Sequence, residues 1–224
     1  LKKIQSARPN ITHNTLLKST LLILILTIAF LIRVLPIRWG YYLNEFDPYQ
    51  QYRETRYIIK NGLWGPSGWI TWHDYMSWYP GGTKVSVHYY PGLPTFGAVL
   101  YTGLSALGVP FVSSPTLDSL LSDPLYVFCV IFPPIMATLA SLAIYFLGKD
   151  IGGESVGMFA ALFLALDSAY ISRTALGFYD DESVGVITLI LICLFFLRSI
   201  EKNKPLKMGL LYACLLYTSD AADE

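Results

Sequence analysis

Five apolar stretches, at 21–35, 91–110, 124–147, 156–171 and 184–197, punctuate this chain and decide what it can fold into. A helix needs roughly 20 predominantly apolar residues to cross a bilayer, and backbone groups inside hydrocarbon must pair with one another. With their flanks, most of these stretches reach that length. Hydrophobic residues are 54 % of the chain and charged residues 14 %, and the mean hydropathy is +0.46. These values exclude an ordinary soluble domain and point to an all-α polytopic membrane protein. The net charge is zero, which leaves no electrostatic case for nucleic acid as a partner. Cys129, Cys193 and Cys214 show neither metal-ligand nor disulfide spacing.

Charge sets the expected topology. Lys2, Lys3, Arg8 and Lys18 precede the first acid at Glu45, so residues 1–20 read as a cytoplasmic N-terminus and 21–38 as the first span. Arg33 and Arg38 lie at its outer end, where long basic side chains can snorkel. Residues 39–123 read as a first external loop holding all five tryptophans, an interfacial signature. Within it, Asp47-Pro48 reads as a helix cap followed by a helix over 49–60. Gly and Pro make 64–90 irregular. Lys149 and the group Arg198, Lys202, Lys204 and Lys207 belong inside. Both signals fit if the glycine- and proline-rich stretch 91–110 is interfacial or re-entrant. The spans are then 21–38, 124–148, 154–172 and 184–200, about four in all, with Pro133-Pro134 kinking the second. Residues 173–183 form the second external loop and 201–213 begin a cytoplasmic one. The end, 214–224, reads as the translation of a transposase sequencing adapter. With Leu1 in place of an initiating Met, this leads us to expect a fragment whose native sequence stops at Ala213.

The acids lie at the mouths of spans. Asp180, Asp181 and Glu182 precede the last apolar stretch, and Asp47 follows the first. Carboxylates beside hydrocarbon are costly unless compensated. In extended backbone Asp180 and Glu182, two apart, face one side, and an all-oxygen set suits Mg2+ or Mn2+. Asp181 then points away. The alternative is that all three cap the following helix, and that Asp47 is no more than an Asp-Pro cap. Arg173 either snorkels or braces phosphate or carboxylates. His73 and His88 read as surface residues.

The segments WGYYLNEFDPYQQYRETRYIIKNG, HDYMSWYPGG, YYPGLPTFG and SRTALGFYDDESVG, in this order, resemble the catalytic subunit of oligosaccharyltransferase in its archaeal form, over about 23–213. The resemblance implies a multi-span glycosyltransferase of the C superfamily. It would move an oligosaccharide from a dolichyl phosphate or pyrophosphate carrier to the asparagine of Asn-X-Ser/Thr, with inversion, at the outer face of the cell membrane. It also implies Asp47, Asp180 and Glu182 as catalytic and metal-holding residues, Mn2+ or Mg2+ as cofactor, and Arg173 as a substrate-binding residue. The implied partners are a lipid-linked oligosaccharide, an acceptor polypeptide and membrane lipid. Family members carry a further catalytic Glu and a Trp-Trp-Asp-Tyr-Gly domain absent from this sequence, so these residues alone are expected to be inactive. The alternatives are a protein O-mannosyltransferase and a secondary transporter using Asp47 and Asp180 as ion sites. A transporter would place such acids near the bilayer midplane.

Overall fold

The first apolar stretch forms helix α1 (His13–Val34) in a computed structural model that describes residues 13–109 and 123–200. A 3-10 turn, Leu35–Trp39, ends it, and the chain runs on to α2 (Phe46–Asn61). Helix α2 begins earlier than the cap reading places it. Asp47 therefore lies in the first helical turn, and Glu45, with φ +66, is the residue that precedes the helix. Pro48 is accepted there because the first four helical N–H groups have no intrahelical partner to lose. Gly62, at φ +79, stops α2.

The segment expected to be irregular contains a 3-10 turn at Trp69–Thr71 and a two-residue antiparallel pair, β1 (His73–Asp74) with β2 (Thr83–Lys84). Asp74 holds it together: its buried carboxylate accepts from Arg53, Met76 N and Ser77 Oγ. Helices α3 (Val85–His88) and α4 (Gly92–Ala106) follow, and α4 packs on α2. At 15 residues, α4 is about 22 Å long, shorter than the roughly 30 Å hydrocarbon core of a bilayer.

Helix α5 (Pro124–Gly152) is continuous through Pro133 and Pro134. It is followed by α6 (Glu154–Leu166), α7 (Ser168–Arg173) and α8 (Glu182–Ile200). Among the described residues, three helices are long and apolar enough to cross a membrane: His13–Trp39, Pro124–Gly152 and Glu182–Ile200. The stretch expected as a continuous span at 154–172 is instead divided at Asp167. Its extended backbone ends α6, and its carboxylate caps α7 by accepting from Tyr170 N at 2.9 Å.

That break explains Arg33. The side chain does not snorkel: it is fully buried. Nε donates to Thr174 Oγ1 at 2.8 Å, Nη1 to the carbonyls of Ala29 and Ala165, and Nη2 to that of Leu164. Ending α6 frees carbonyls that hydrocarbon cannot satisfy, and the guanidinium of α1 supplies the missing donors. The Tyr170 ring lies 5.1 Å from its charge.

At one end of the bundle, charges from four helices pair up. Lys18 meets Glu154, Lys149 meets Glu154 at 3.3 Å, and Arg198 meets Asp150 at 2.6 Å. The opposite end carries the aromatic loop region. Its core joins Leu43 and Tyr52 to Leu93, Tyr126, Phe128, Phe132, Leu176 and Tyr179, so the segments leading into α2 and α8 share one packed base. Residues 1–12 of the basic N-terminus, 110–122 of the first loop, and both the 201–213 and 214–224 segments lie outside the described residues.

Candidate active site

Two chain segments carry acids to this end and are stitched to each other before they do so. In the first, Leu43 N donates to Tyr126 Oη, Asn44 N to Gly177 O, and Asn44 Nδ2 to Leu176 O, each at 2.9 Å. In the second, Leu176 N donates to Arg33 O and Gly177 N to Val130 O. Gly177 is at φ +86, and a Cβ there would lie 2.0 Å from Tyr42 O. Only glycine lets the two strands cross so closely. Three residues beyond each crossing stands an acid, Asp47 after Asn44 and Asp180 after Gly177.

Asp47 and Asp180 line one pocket of about 190 Å³, together with Asp181, Gln50, Gln51, His88, Tyr89 and Tyr90. Asp47 is exposed and Asp180 buried. The N-terminal ends of both α2 and α8 open here, and their positive helix-dipole ends favour negative charge. The i and i+2 reading of Asp180 and Glu182 assumed extended backbone. The chain instead turns, with Ser183 N donating to Asp180 O and Gly185 N to Asp181 O. Asp181 consequently lies along the pocket, held by Gln51 Nε2 at 3.3 Å. Glu182 begins α8 outside the lining. Its Oε1 is 3.7 Å from Arg173 Nη1, and its Oε2 is buried and unpartnered among the described residues. Arg173 is exposed, with its guanidinium 5.3 Å from the Phe178 ring, and does not line the pocket.

The electrostatics are lopsided. Burial raises Asp180 above the ordinary carboxylate range, with Glu182 and Asp47 adding to the rise. Asp181 keeps more than a third of its surface open. Even so, the protein packed about its carboxylate, then Asp180, Glu182 and Asp47, push it up to about 6. Arg173, paired across solvent, offsets little.

The carboxylates and amide carbonyls are hard oxygens, which fit Mg2+ or Mn2+ in kind, and His88 adds an imidazole nitrogen to the lining. Among the described residues, however, no three His, Cys, Asp or Glu side chains form a group that could hold an ion by themselves. Two buried acceptors in this region, Gln51 Oε1 and Glu182 Oε2, have no partner among the described residues. Sequence reasoning missed Gln50, Gln51 and His88. The two glutamines were findable: positions 47, 50, 51 and 54 share one face of a helix. His88, whose ring lies 5.9 Å from that of Trp78, gave no local signal.

The same helix face ends in Glu54, fully buried, with Oε1 accepting from Gln50 Nε2 and Oε2 from Trp69 Nε1. Burial pushes Glu54 up to about 7 against those two bonds.

The family described as oligosaccharyl transferase STT3, N-terminal, matches residues 17–219. The dolichyl-diphosphooligosaccharide–protein glycosyltransferase subunit STT3A of Oryza sativa is 33% identical over 195 residues, covering 87% of this chain and 22% of the relative. The STT3 subunit of Saccharomyces cerevisiae is 30% identical over 187 residues, covering 83% of this chain and 24% of the relative. Among solved structures, the Archaeoglobus fulgidus oligosaccharyltransferase tethered to an NVT acceptor peptide superposes with a TM-score of 0.67 at 18% identity, over 92% of this chain and 24% of that one. The archaeal enzyme AglB, in complex with an inhibitory peptide and a dolichol-phosphate, gives 0.65 at 17% identity, over 93% and 24%. The chain thus spans about a quarter of the length of the proteins it matches, with the membrane fold they share. From its apolar helices to its paired acidic segments, it belongs to the STT3 oligosaccharyltransferase family, in that family's N-terminal region.

Proposed function

We propose that this chain supplies the acid-bearing part of an oligosaccharyltransferase catalytic centre. The reaction moves an oligosaccharide from a dolichyl phosphate or pyrophosphate carrier to the asparagine of Asn-X-Ser/Thr, on the external face of its membrane, with inversion. The observation that carries this reading is the meeting of Asp47 and Asp180, from two separately stitched segments, around one pocket of uncompensated negative charge. Both acids stand at helix ends, away from the middle of any long apolar helix, which is where a lipid carrier's phosphate would meet an aqueous acceptor. That position also disfavours the transporter alternative.

An asparagine carboxamide is a poor nucleophile because its nitrogen lone pair is delocalised into the carbonyl. Asp47 accepts hydrogen bonds from the amide N–H and holds that nitrogen toward the sugar. Asp180 and Glu182, with Asp47, are the residues that would hold Mg2+ or Mn2+, and such an ion supplies Lewis-acid neutralisation of the departing phosphate. The positive ends of α2 and α8 favour the same anion. His88, Tyr89 and Tyr90 bring donor groups to the opposite wall. Arg173, beside Glu182, offers a positive charge to a carrier phosphate.

The test is transfer from lipid-linked oligosaccharide to an Asn-X-Thr peptide, with the polypeptide taken at its genomic length. Asp47→Asn and Asp180→Asn are each expected to lower the rate by about 10²–10³, the size of loss seen when one electrostatic stabiliser is removed. Full transfer by both variants would overturn the assignment.

A further inference from the structure

We propose that the side-chain oxygen of Gln51 is a further, neutral ligand of the acidic pocket, taking a place beside Asp47 and Asp180 toward a hydrated divalent cation. The inference rests on the cation reading above. Gln51 stands one helical turn after Asp47 on the same face of α2, lines the pocket and is 8 % exposed. Its amide is used at one end only. Nε2 donates to Asp181 Oδ2 at 3.3 Å, while Oε1 is buried with no partner among the described residues.

The orientation of that amide is forced. Turned over, it would set Oε1 against the Asp181 carboxylate, oxygen facing oxygen. Gln51 lines the pocket with Asp47, Asp180 and Asp181, whose ionised carboxylates accept and do not donate. Native proteins leave few buried acceptors unpaired, and an unpaired carbonyl among carboxylates calls for a cation or for water bound to one. Side-chain carbonyls are accepted ligands of hard cations. Gln50, the next pocket residue on this face, has both ends of its amide engaged, by Glu54 and by Arg53. It is therefore not a competing candidate.

The probe is Mn2+ alone, titrated by electron paramagnetic resonance into the full chain held in lipid nanodiscs. Gln51→Leu keeps the volume and removes the oxygen, and is expected to weaken Mn2+ binding by about 10-fold or more. Gln51→Glu keeps an oxygen and loses the N–H, and is expected to bind Mn2+ at least as tightly as the native chain. Unchanged binding by Gln51→Leu overturns the inference. So does weakening by Gln51→Glu to the level of Gln51→Leu, since that is the pattern of a residue acting only through its N–H on Asp181. Asp47→Asn tests the underlying reading separately. If it leaves Mn2+ binding intact, the cation reading fails and Gln51 with it. If it abolishes binding while Gln51→Leu does not weaken it, only the Gln51 inference fails. Gln51→Glu stays informative if Gln51→Leu proves unstable.

Discussion

Two polar regions are buried in this molecule, and they are built in opposite ways. At the break between α6 and α7, a single charge, Arg33, meets a hydroxyl and three carbonyls and lies against an aromatic ring. At the acidic pocket, Asp47, Asp180 and Asp181 gather with Glu182 and one exposed arginine beside them, and two buried oxygens there have no partner among the described residues. The first arrangement meets its charge with protein acceptors, although the Tyr170 hydroxyl beside it is buried without a partner among the described residues. The second holds like charges together, a repulsion that a proton or an added cation would relieve. A buried charge met from several sides by protein acceptors is architecture, whereas like charges held together by a packed frame mark chemistry.

The comparison can be broken at its structural side first. Arg33→Leu removes the side-chain donor that meets the carbonyls of Leu164 and Ala165 and the Thr174 hydroxyl. Hydrogen bonds to a charged group are worth about 1.5–3 kcal/mol each and are not additive, so a loss of about 3 kcal/mol or more is expected in thermal unfolding. Arg33→Lys should recover only part of it, because an ammonium lacks the planar fork. Gly177→Ala tests the frame between the regions. Positive φ and the contact with Tyr42 O predict a loss of about 1–3 kcal/mol, and a crossing strand pushed apart should also weaken Mn2+ binding.

Glu54 sharpens the comparison through pH. Its folded-state pKa, about 7, lies above the usual 4.5, so the folded chain binds the proton more tightly than the unfolded chain does. This group's contribution is complete below about pH 4.5 and is lost as pH rises through 7. The loss approaches about 3 kcal/mol. Denaturation profiles from pH 5 to 8 should show that decline, and Glu54→Gln should flatten it. The smallest effect belongs to the exposed pair: Arg173→Ala should change stability by less than about 1 kcal/mol, while any role at a carrier phosphate would appear only in transfer kinetics.

Much of the membrane frame was legible in the sequence, because hydropathy and length alone mark α1, α5 and α8. Asp47 and Asp180 were legible as a pair because carboxylates at span ends need compensation. The break at Asp167 was harder to see, since one Asp-Ser pair in an apolar run looks like a polar interruption and not like a helix end with its own cap. Without that break, a buried Arg33 has nothing to donate to, so snorkelling was the natural expectation. Asp181 was assigned by a two-residue period that holds in extended backbone, but residues 180–185 already turn into α8. His88 reaches the pocket through tertiary packing of the aromatic loop, which no local pattern encodes.

The most direct measurement of the central claim is the melting temperature of the native chain and of Asp180→Asn, each with and without Mn2+. If the acids are an unmatched functional cluster, Asp180→Asn melts higher than the native chain in metal-free buffer, because it relieves Asp47, Asp181 and Glu182. Mn2+ then raises the native melting temperature and leaves that of the variant unchanged. If Asp180→Asn melts lower than the native chain and Mn2+ moves neither, the acids are helix caps and the account is contradicted.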